Sequence, residues 1–600
     1  ICRMLYSILL LAVGLNPTQN VGHEENVLEE VVVSAEKGVI INRQDTLSTD
    51  GVLSITDLLL KSPSLQISDY GGAAGLKNVS LRGFGSAHTT IYIDGIRMTN
   101  VQSGQTDLGI LPLTTFNSAI INYAQNSLNF KTARPVFEDK DYTGYVKAYG
   151  GSFNTYSPSI YGAYRLGKAL SISANLNALF SKGDYVYTAN KRRSNNDFNQ
   201  INGGFDLFGD YSRCTFHVKS LLNASKRGTP GSIYYPSTDR QNDVNYFIQG
   251  DISYTFSPFY TLRFSAKDAV DKLDYISEWG NSNYDQNNLQ LNLVHDVDIN
   301  DEWKVTVATD AHLSSLESNL YHAERTELFT SVAGAYHNDR ASANLALDYS
   351  GVIDKGGARL GAFMPSVDVR VNIAKGLDLV AFARRDWRAP TFNELYYPGF
   401  GNDSLKPEDA FLMDCGLEYR NAFSGKTTIS AKVNGFYNLL TNKIVSAPTP
   451  SNPAIWLPYN IGKVRSLGLD AALELSHRFD SVLWSMDAKY TLLDATDRTP
   501  DSSTFGKQIP FVAKHTAYIG STVTFDGWLI NANWQGRFGR TESGSENAAD
   551  WNTVDITVGK TIDVFLLKLS LRNIFDYRYS LASGYPMPGR SAIVSVEYKF

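Results

Sequence analysis

The chain has 600 residues, of which 43% are hydrophobic, 12% are aromatic and 19% are charged, and its net charge is −6 at pH 7. This length exceeds one ordinary soluble core, so it predicts several domains or one very large architecture. Beyond the N-terminal segment, no stretch has the roughly 18 consecutive apolar residues of a membrane-spanning helix, which excludes a helical membrane protein. The negative net charge disfavours a nucleic-acid partner.

The first residues are typical of an export signal. Arg3 precedes an apolar run over residues 5–15, and Pro17 ends that run. A basic residue, an apolar run of this length and a helix breaker match a secretory signal, although no clear Ala-x-Ala cleavage site follows. We therefore expect residues 1–22 to be a signal peptide, complete or incomplete, with a buried strand or helix as the alternative.

A short strand-forming segment lies within residues 23–40, which otherwise form a linker. The segment consists of Glu30, Val31, Val32, Val33, Ser34 and Ala35. Because β-branched residues favour extended backbone, the three valines can pair as an added strand with the sheet edge of another protein. An ordinary edge strand of the following domain is the alternative.

Residues 41–138 predict a small mixed α+β domain. Ser54 and Asp57 form a capping box before a short amphipathic helix that carries three leucines and ends at Pro63. A strand is predicted over residues 78–81. A hairpin follows over residues 91–98, because Asp94 and Gly95 suit a tight turn between two apolar runs.

From residue 139 to residue 600, apolar and polar residues alternate in segments of about ten residues. In residues 170–180, for example, Leu170, Ile172 and Leu176 alternate with serine and asparagine. Tight turns such as residues 166–168 contrast with long polar stretches, as expected for the short and long connections of a membrane barrel. The long stretches are residues 184–199, 226–246, 278–289, 397–406, 446–458, 493–509 and 539–550.

These patterns predict a transmembrane β-barrel of about 22 antiparallel strands, at roughly 20 residues per strand and connection. Its outer surface would contact the lipid bilayer. A barrel of this size has a lumen that must be plugged, and residues 41–138 have the right size to lie inside it. The fold class is therefore a transmembrane β-barrel with an N-terminal α+β plug domain in the lumen.

The motifs resemble those of the TonB-dependent outer-membrane receptor family. Residues 29–35 resemble its TonB box, residues 81–84 and 91–97 resemble its plug signature, and the last strand ends on the aromatic Phe600. The resemblance implies active import of a scarce nutrient across the outer membrane, driven by the TonB complex of the inner membrane through residues 30–35. One departure is that Asn122 and Tyr123 stand where the family usually has an Arg-Gly-Pro motif.

Four residues of the plug signature have an expected structural role. Gly83 and Gly95 let the backbone turn, and Asp94 precedes the second of these glycines. Arg82 is expected to pair with carboxylates of the barrel or the plug. These residues would therefore hold the plug in place rather than contact a ligand.

The resemblance also bears on the ligand. Residues 387–390 and 401–407 are similar to a paired motif of haem and cobalamin receptors, but residues 391–400 contain no histidine that could serve as an axial ligand of iron. Residues 456–464, 573–576 and 584–590 resemble the cobalamin branch. We expect cobalamin or a related corrinoid, with a ferric siderophore or haem as the alternative.

In cobalamin receptors the ligand rests on two apical plug loops, which correspond by position to residues 69–75 and 99–105. The candidate ligand-binding residues are Tyr70, Gly71, Gly72, Asn100, Gln102, Ser103 and Gln105. Amide, hydroxyl and aromatic groups suit a large neutral ligand, whereas an anionic siderophore would favour basic residues. Plain turns are the alternative interpretation of both loops.

Related receptors also order external loops with calcium, for which oxygen ligands are suitable. The candidate ligands are Asp184, Asp197, Asp239 and Asp243, and solvated polar loops would look the same. We expect that no cofactor is required. A surface lipoprotein that caps the pore is one candidate partner. A barrel enzyme would need a Ser, His and acid constellation, of which no motif is found, and a passive porin would lack residues 25–135 as a domain.

Overall fold

A computed structural model describes residues 44–49, 52–188, 190–423, 425–449, 456–541 and 548–600. The predicted signal peptide and the predicted TonB box lie outside the described residues. In the described ranges, no helix has the length and apolar character needed to cross a membrane.

The N-terminal domain is the predicted plug. Its elements are β1 (Gln44–Ser48), α1 (Ile55–Leu60), β2 (Leu65–Asp69), β3 (Lys77–Leu81), β4 (Thr90–Ile93), β5 (Ile96–Arg97), β6 (Phe116–Asn122) and β7 (Ser127–Thr132), with 3-10 turns at Ser86–His88, Leu108–Ile110 and Leu113–Thr115. One sheet has the order β1-β6-β7-β4-β5, and β2 pairs with β3 separately. β4 runs parallel to β7, and the other pairs are antiparallel.

Local sequence explains the plug helix and its hairpin. The Ser54 side chain accepts a hydrogen bond from the backbone N–H of Asp57, whose carboxylate accepts one from the N–H of Ser54. This confirms the predicted capping box, and Leu58 and Leu59 are at most 1% exposed in the plug core. Asp94 and Gly95 have φ of 51° and 84°, as a tight turn between β4 and β5 requires.

The remainder forms a closed barrel. Its strands are β8 (Tyr142–Gly151), β9 (Thr155–Gly167), β10 (Leu170–Ser181), β13 (Phe198–Tyr211), β14 (Cys214–Gly228), β15 (Arg240–Ser257), β16 (Tyr260–Ile276), β17 (Ser282–Asp298), β18 (Trp303–Ser318), β19 (His322–His337), β20 (Ala341–Asp354), β21 (Arg359–Ala374), β22 (Leu377–Arg388), β23 (Glu408–Phe423), β24 (Thr427–Pro448), β25 (Trp456–Phe479), β26 (Val482–Asp497), β27 (His515–Phe525), β28 (Trp528–Phe538), β29 (Trp551–Ile562), β30 (Phe565–Arg572) and β33 (Ser591–Lys599). Loops add β11 (Val186–Thr188), β12 (Lys191–Arg192), α2 (Phe392–Tyr396), β31 (Ser580–Ala582) and β32 (Tyr585–Pro586).

Within the described ranges, 22 strands close on themselves, because β33 pairs with both β30 and β8. Every neighbouring pair that contains β33 is antiparallel. The predicted strand number and the even count typical of bacterial barrels are therefore confirmed.

The two faces of each strand differ as predicted. On β20, Leu345 and Leu347 are 68% and 52% exposed on the outer surface, whereas Asn344 and Asp348 are 1% exposed on the inner surface. Exposed apolar side chains suit a lipid environment, and the buried polar side chains line the lumen beside the plug. The inner face of each strand must thus be polar beside the plug and the outer face apolar beside the bilayer, and alternation with a period of two residues meets both requirements.

Five of the seven expected long polar stretches include residues of barrel strands, and two of them do so most extensively. Residues 278–289 belong largely to β17, which begins at Ser282, and residues 226–246 overlap β14 and β15. Polar residues such as Asn283 and Asn287 remain in strand conformation because β17 has 17 residues and is longer than the apolar band of such barrels, which is roughly 25 Å tall. High polarity therefore marks the part of a strand outside the lipid as well as a loop.

Arg82 joins the plug to the barrel wall. Its Nη2 atom lies 2.7 Å from Oδ2 of Asp414 and 2.6 Å from Oδ2 of Asp470. The guanidinium also lies between two rings, with Cζ 4.4 Å from the centroid of Tyr123 and 3.9 Å from that of Phe436. The predicted carboxylate pairing of Arg82 is thus present, with both carboxylates on the barrel.

The next residue, Gly83, allows this close approach. Its φ is 74°, and a Cβ atom there would lie 3.2 Å from Cβ of Ala495 and 3.3 Å from Val512. Tyr123, the residue that departs from the Arg-Gly-Pro motif, packs its ring against Arg82 and donates a hydrogen bond of 2.7 Å to Asp45 on β1. The part of the sequence that departs from the motif thus supplies an aromatic ring that packs on Arg82.

Replacing Arg82 by methionine removes the cation that two buried barrel carboxylates bind. We expect seating of the plug to lose about 3–5 kcal/mol, measured as faster hydrogen exchange and proteolysis of residues 44–132, with the barrel intact. Arg385→Met is the matched control, because Arg385 makes two hydrogen bonds to Asp409 but is 43% exposed. Equal plug protection in Arg82→Met and the wild type would contradict the anchoring role.

Candidate functional site

Two plug loops lie at the end of the barrel where the long connections are found. Apical loop A comprises residues 69–76, and apical loop B comprises residues 99–107. Barrel loops 182–197, 389–407 and 573–590 contact them. This mouth contains all seven candidate ligand-binding residues.

Apical loop A is held by its own polar groups. The Asp69 carboxylate accepts hydrogen bonds of 3.0 Å from the backbone N–H groups of Gly71 and Gly72. Lys77 donates from Nζ to the Gly72 carbonyl and, at 2.8 Å, to the Gly75 carbonyl. Burial raises the pKa of Asp69 even though Lys77 lies beside it. The loop is therefore a preformed turn around an internal Lys–Asp pair.

Apical loop B is held by the barrel. Backbone N–H groups at the start of α2 donate to the carbonyls of Val101 and Gln102, from Phe392 at 2.9 Å and from Asn393 at 3.0 Å. Asn100 accepts a 3.0 Å hydrogen bond from the N–H of Ser103, which closes the turn. The loop B backbone is thus fixed before any ligand arrives.

Asp107 connects both loops to the barrel wall. Its Oδ1 atom accepts hydrogen bonds from the N–H of Lys77 at 3.0 Å and of Gly109 at 2.8 Å. Its Oδ2 atom lies 2.8 Å from Nη2 of Arg227 on β14. Burial raises the pKa of Asp107, but the Arg227 charge, the Lys77 charge and the hydrogen bonds from the N–H groups of Lys77 and Gly109 together lower it. Sequence reasoning missed Lys77, Asp107 and Arg227, since no local motif marks them.

A barrel loop covers apical loop A. The Tyr585 ring meets the Tyr70 ring edge-on, with centroids 4.9 Å apart, and the Tyr185 hydroxyl donates to the Pro586 carbonyl. Burial, and then Tyr585, raise the pKa of Tyr70. Sequence reasoning treated residues 584–590 only as a family likeness and missed this contact.

The seven predicted ligand residues differ in accessibility. Gln105 is exposed and Ser103 is half-buried on apical loop B, whereas Gln102 and Gly71 are buried. The Asn100 oxygen is used inside loop B, and Tyr70 and Gly72 lie beneath the cover. Among these candidates, loop B therefore presents the groups most open to the outside.

The four aspartates of the predicted calcium site do not converge. Asp197 binds Arg240 through two hydrogen bonds of 2.7 Å, and Asp243 lies 3.3 Å from Arg227. Asp239 accepts a 2.7 Å hydrogen bond from the Tyr275 hydroxyl, and Asp184 lies 3.8 Å from Arg192. The described ranges hold no group of three or more His, Cys, Asp or Glu that could hold a metal ion. Each carboxylate is directed to its own partner.

The paired motif of residues 387–390 and 401–407 takes part in a network of charged side chains that joins barrel elements to the plug. Arg388 binds Glu394 through hydrogen bonds of 2.9 and 3.0 Å and also binds Glu408. Glu408 in turn lies 2.6 Å from Nε2 of His88 on the plug. The motif therefore connects β22, α2 and β23 to the plug, and sequence reasoning missed this role of His88, Glu394 and Glu408.

At the opposite end of the lumen, a polar cavity of about 1000 Å³ separates the plug sheet from the barrel wall. Asp94, Arg97 and Lys131 line it from the plug, and His217 and Asp251 line it from the barrel. A smaller cavity of about 320 Å³ lies beside apical loop A, so the plug fits the wall more closely there than near the short turns.

Comparisons with known proteins agree with this architecture. A family model described as TonB dependent receptor-like, beta-barrel, matches residues 83–574. The vitamin B12 transporter BtuB of Photobacterium profundum is 24% identical over 98% of this chain and 99% of its own, and that of Vibrio vulnificus is 22% identical over 96% and 94%.

Solved structures show the same fold at low sequence identity. The copper transporter OprC superposes with a TM-score of 0.77 at 15% identity, covering 95% of this chain and 100% of its own. The unliganded ferric citrate transporter FecA gives a TM-score of 0.75 at 14% identity, with 93% and 97% coverage. Since the family model covers most of the chain, the protein belongs to the TonB-dependent receptors, transporters of the outer membrane rather than enzymes.

Proposed function

We propose that this receptor imports cobalamin or a related corrinoid, bound first at the apical loops and released to the periplasm when TonB pulls on residues 30–35. The observation that carries the proposal is similarity along nearly the whole chain to two vitamin B12 transporters. The same span includes the plug, the barrel and all the external loops.

The electrostatics of the apical loops support a neutral ligand. Lys77 pairs with Asp69 at 3.6 Å, and Arg227 pairs with Asp107 at 2.8 Å, so both cations are already neutralised within the protein. The exposed Gln105 offers an amide to the outside. Amide groups match a large neutral ligand whose rim carries amides, through paired hydrogen bonds.

The shape of loop B supports the same ligand class. Asn78 donates a 2.7 Å hydrogen bond to the Gln105 side-chain oxygen, which leaves the Gln105 amide nitrogen directed away from Asn78. Because α2 fixes the loop backbone, a ligand would meet a rigid polar floor, and less conformational freedom would be lost on binding.

A ferric siderophore is the second candidate, and one observation favours it. Arg193 lies with Cζ 5.7 Å from the Tyr585 ring centroid, and its backbone N–H donates at 2.9 Å to the Tyr185 carbonyl. Its Nε atom has no hydrogen-bond partner within the described ranges. A guanidinium among phenol rings suits an anionic aromatic chelate.

Direct binding to the purified receptor separates the two candidates. We expect cyanocobalamin to bind, and Gln105→Ala to weaken that binding by about three- to tenfold through loss of one neutral hydrogen bond. We expect Arg193→Gln to leave the binding within about twofold, because a neutral ligand offers no charge to the guanidinium. Isothermal titration is the measurement. Binding of ferric siderophores but not cyanocobalamin, with loss in Arg193→Gln, would instead establish the second candidate.

Energy coupling is tested by one backbone change in the box. Val32→Pro removes the N–H that an added strand would donate, whereas Val32→Thr keeps a β-branched residue and its N–H. We expect radiolabelled ligand to bind both variants like the wild type, and uptake into cells to be abolished only in Val32→Pro. Wild-type uptake by the proline variant would contradict strand pairing at residues 30–35.

A further inference from the structure

Residues 579–588, here termed the inner hairpin, fold from the last external loop into the lumen. The hairpin contains β31 and β32 and closes through the Met587 N–H, which donates at 2.8 Å to the Tyr579 carbonyl. Leu581 and Met587 are 6% and 7% exposed and belong to the same apolar cluster as the plug leucines. The hairpin is therefore packed on the plug rather than extended into solvent.

Three neighbouring loops hold the inner hairpin by donating hydrogen bonds to its backbone carbonyl groups. Arg540 donates to the carbonyls of Ser580 at 2.9 Å and Leu581 at 3.2 Å. The Ile233 N–H donates at 2.8 Å to the Gly584 carbonyl, and Tyr185 donates to the Pro586 carbonyl. All of these bonds end on backbone oxygens of the hairpin, which water can replace when the hairpin moves.

The inner hairpin occupies the space above apical loop A. Tyr585 contacts Tyr70, and a Cβ atom on Gly72 would lie 3.4 Å from Cγ of Pro588. On loop B, by contrast, Gln105 is exposed. A large ligand arriving from outside can thus reach loop B directly but meets the hairpin before loop A.

We propose that the inner hairpin is a displaceable cover of apical loop A: the ligand first contacts loop B and then displaces Tyr585 from Tyr70 to reach loop A. This inference rests on the proposed function of the apical loops in ligand binding. A cover that is closed most of the time lowers the apparent affinity by the fraction of receptor that is open. The hairpin thereby favours ligands large enough to engage both loops.

The test fixes the cover reversibly. In the double variant Tyr70→Cys and Tyr585→Cys, a short bis-methanethiosulfonate reagent joins the two cysteine side chains. The same protein after treatment with dithiothreitol is the control. Tyr70→Cys alone, treated with a monofunctional methanethiosulfonate, controls for the bulk of the reagent. We expect crosslinking to weaken cyanocobalamin binding about tenfold or more and reduction to restore it. Unchanged affinity in the crosslinked receptor would overturn the proposal.

A second measurement does not depend on the ligand. A cysteine at Ala73, half-buried in loop A, is labelled with a bulky maleimide with and without Tyr585→Ala. We expect labelling to become about tenfold faster when the ring contact is lost, and an unchanged rate would overturn the cover. If the wild type fails to bind cyanocobalamin, the proposed ligand is wrong, and the labelling rates alone decide on the inner hairpin.

Discussion

A buried arginine bound by two barrel carboxylates joins the plug of this receptor to its barrel wall. Arg82 follows β3 of the plug and meets Asp414 on β23 and Asp470 on β25, with aromatic rings on both sides of its guanidinium. A charge inside the lumen is stable only when paired and hydrogen-bonded. Together with the contacts of His88 and Asp107, this pairing holds the plug in one orientation, with the apical loops at the external mouth.

From that anchor, the plug presents different contacts to its two ends. Toward the outside, Asp107, Lys77 and Arg227 connect the loops to the wall, and the inner hairpin packs above loop A. Toward the short turns, a polar cavity remains between plug and barrel. The first sheet strand, β1, lies at the sheet edge, and it directly follows the segment that contains the predicted TonB box. A pull on that segment would therefore apply force to β1 before it reaches the other strands of the plug sheet.

Local sequence patterns predicted the helices, turns and strands, whereas contacts between residues far apart in sequence form the candidate functional site. The capping box of Ser54, the turn at Asp94 and the outward leucines of β20 each follow from residues close together in sequence. Arg82 and Asp470, by contrast, are 388 residues apart, and His88 and Glu408 are 320 apart. Sequence alone predicted that Arg82 has carboxylate partners but could not name them, and the expected calcium ligands proved to have separate partners.

A lumen that the plug fills opens a path for a ligand only when the plug moves relative to the barrel wall. Crosslinking Thr114→Cys on the plug to Asn177→Cys on β10, whose native side chains lie 2.7 Å apart, tests this most directly in cells that express the receptor. A reducible crosslinker should leave ligand binding intact, stop uptake, and release it again after treatment with a thiol. Uptake at the uncrosslinked rate with the link in place would contradict the account.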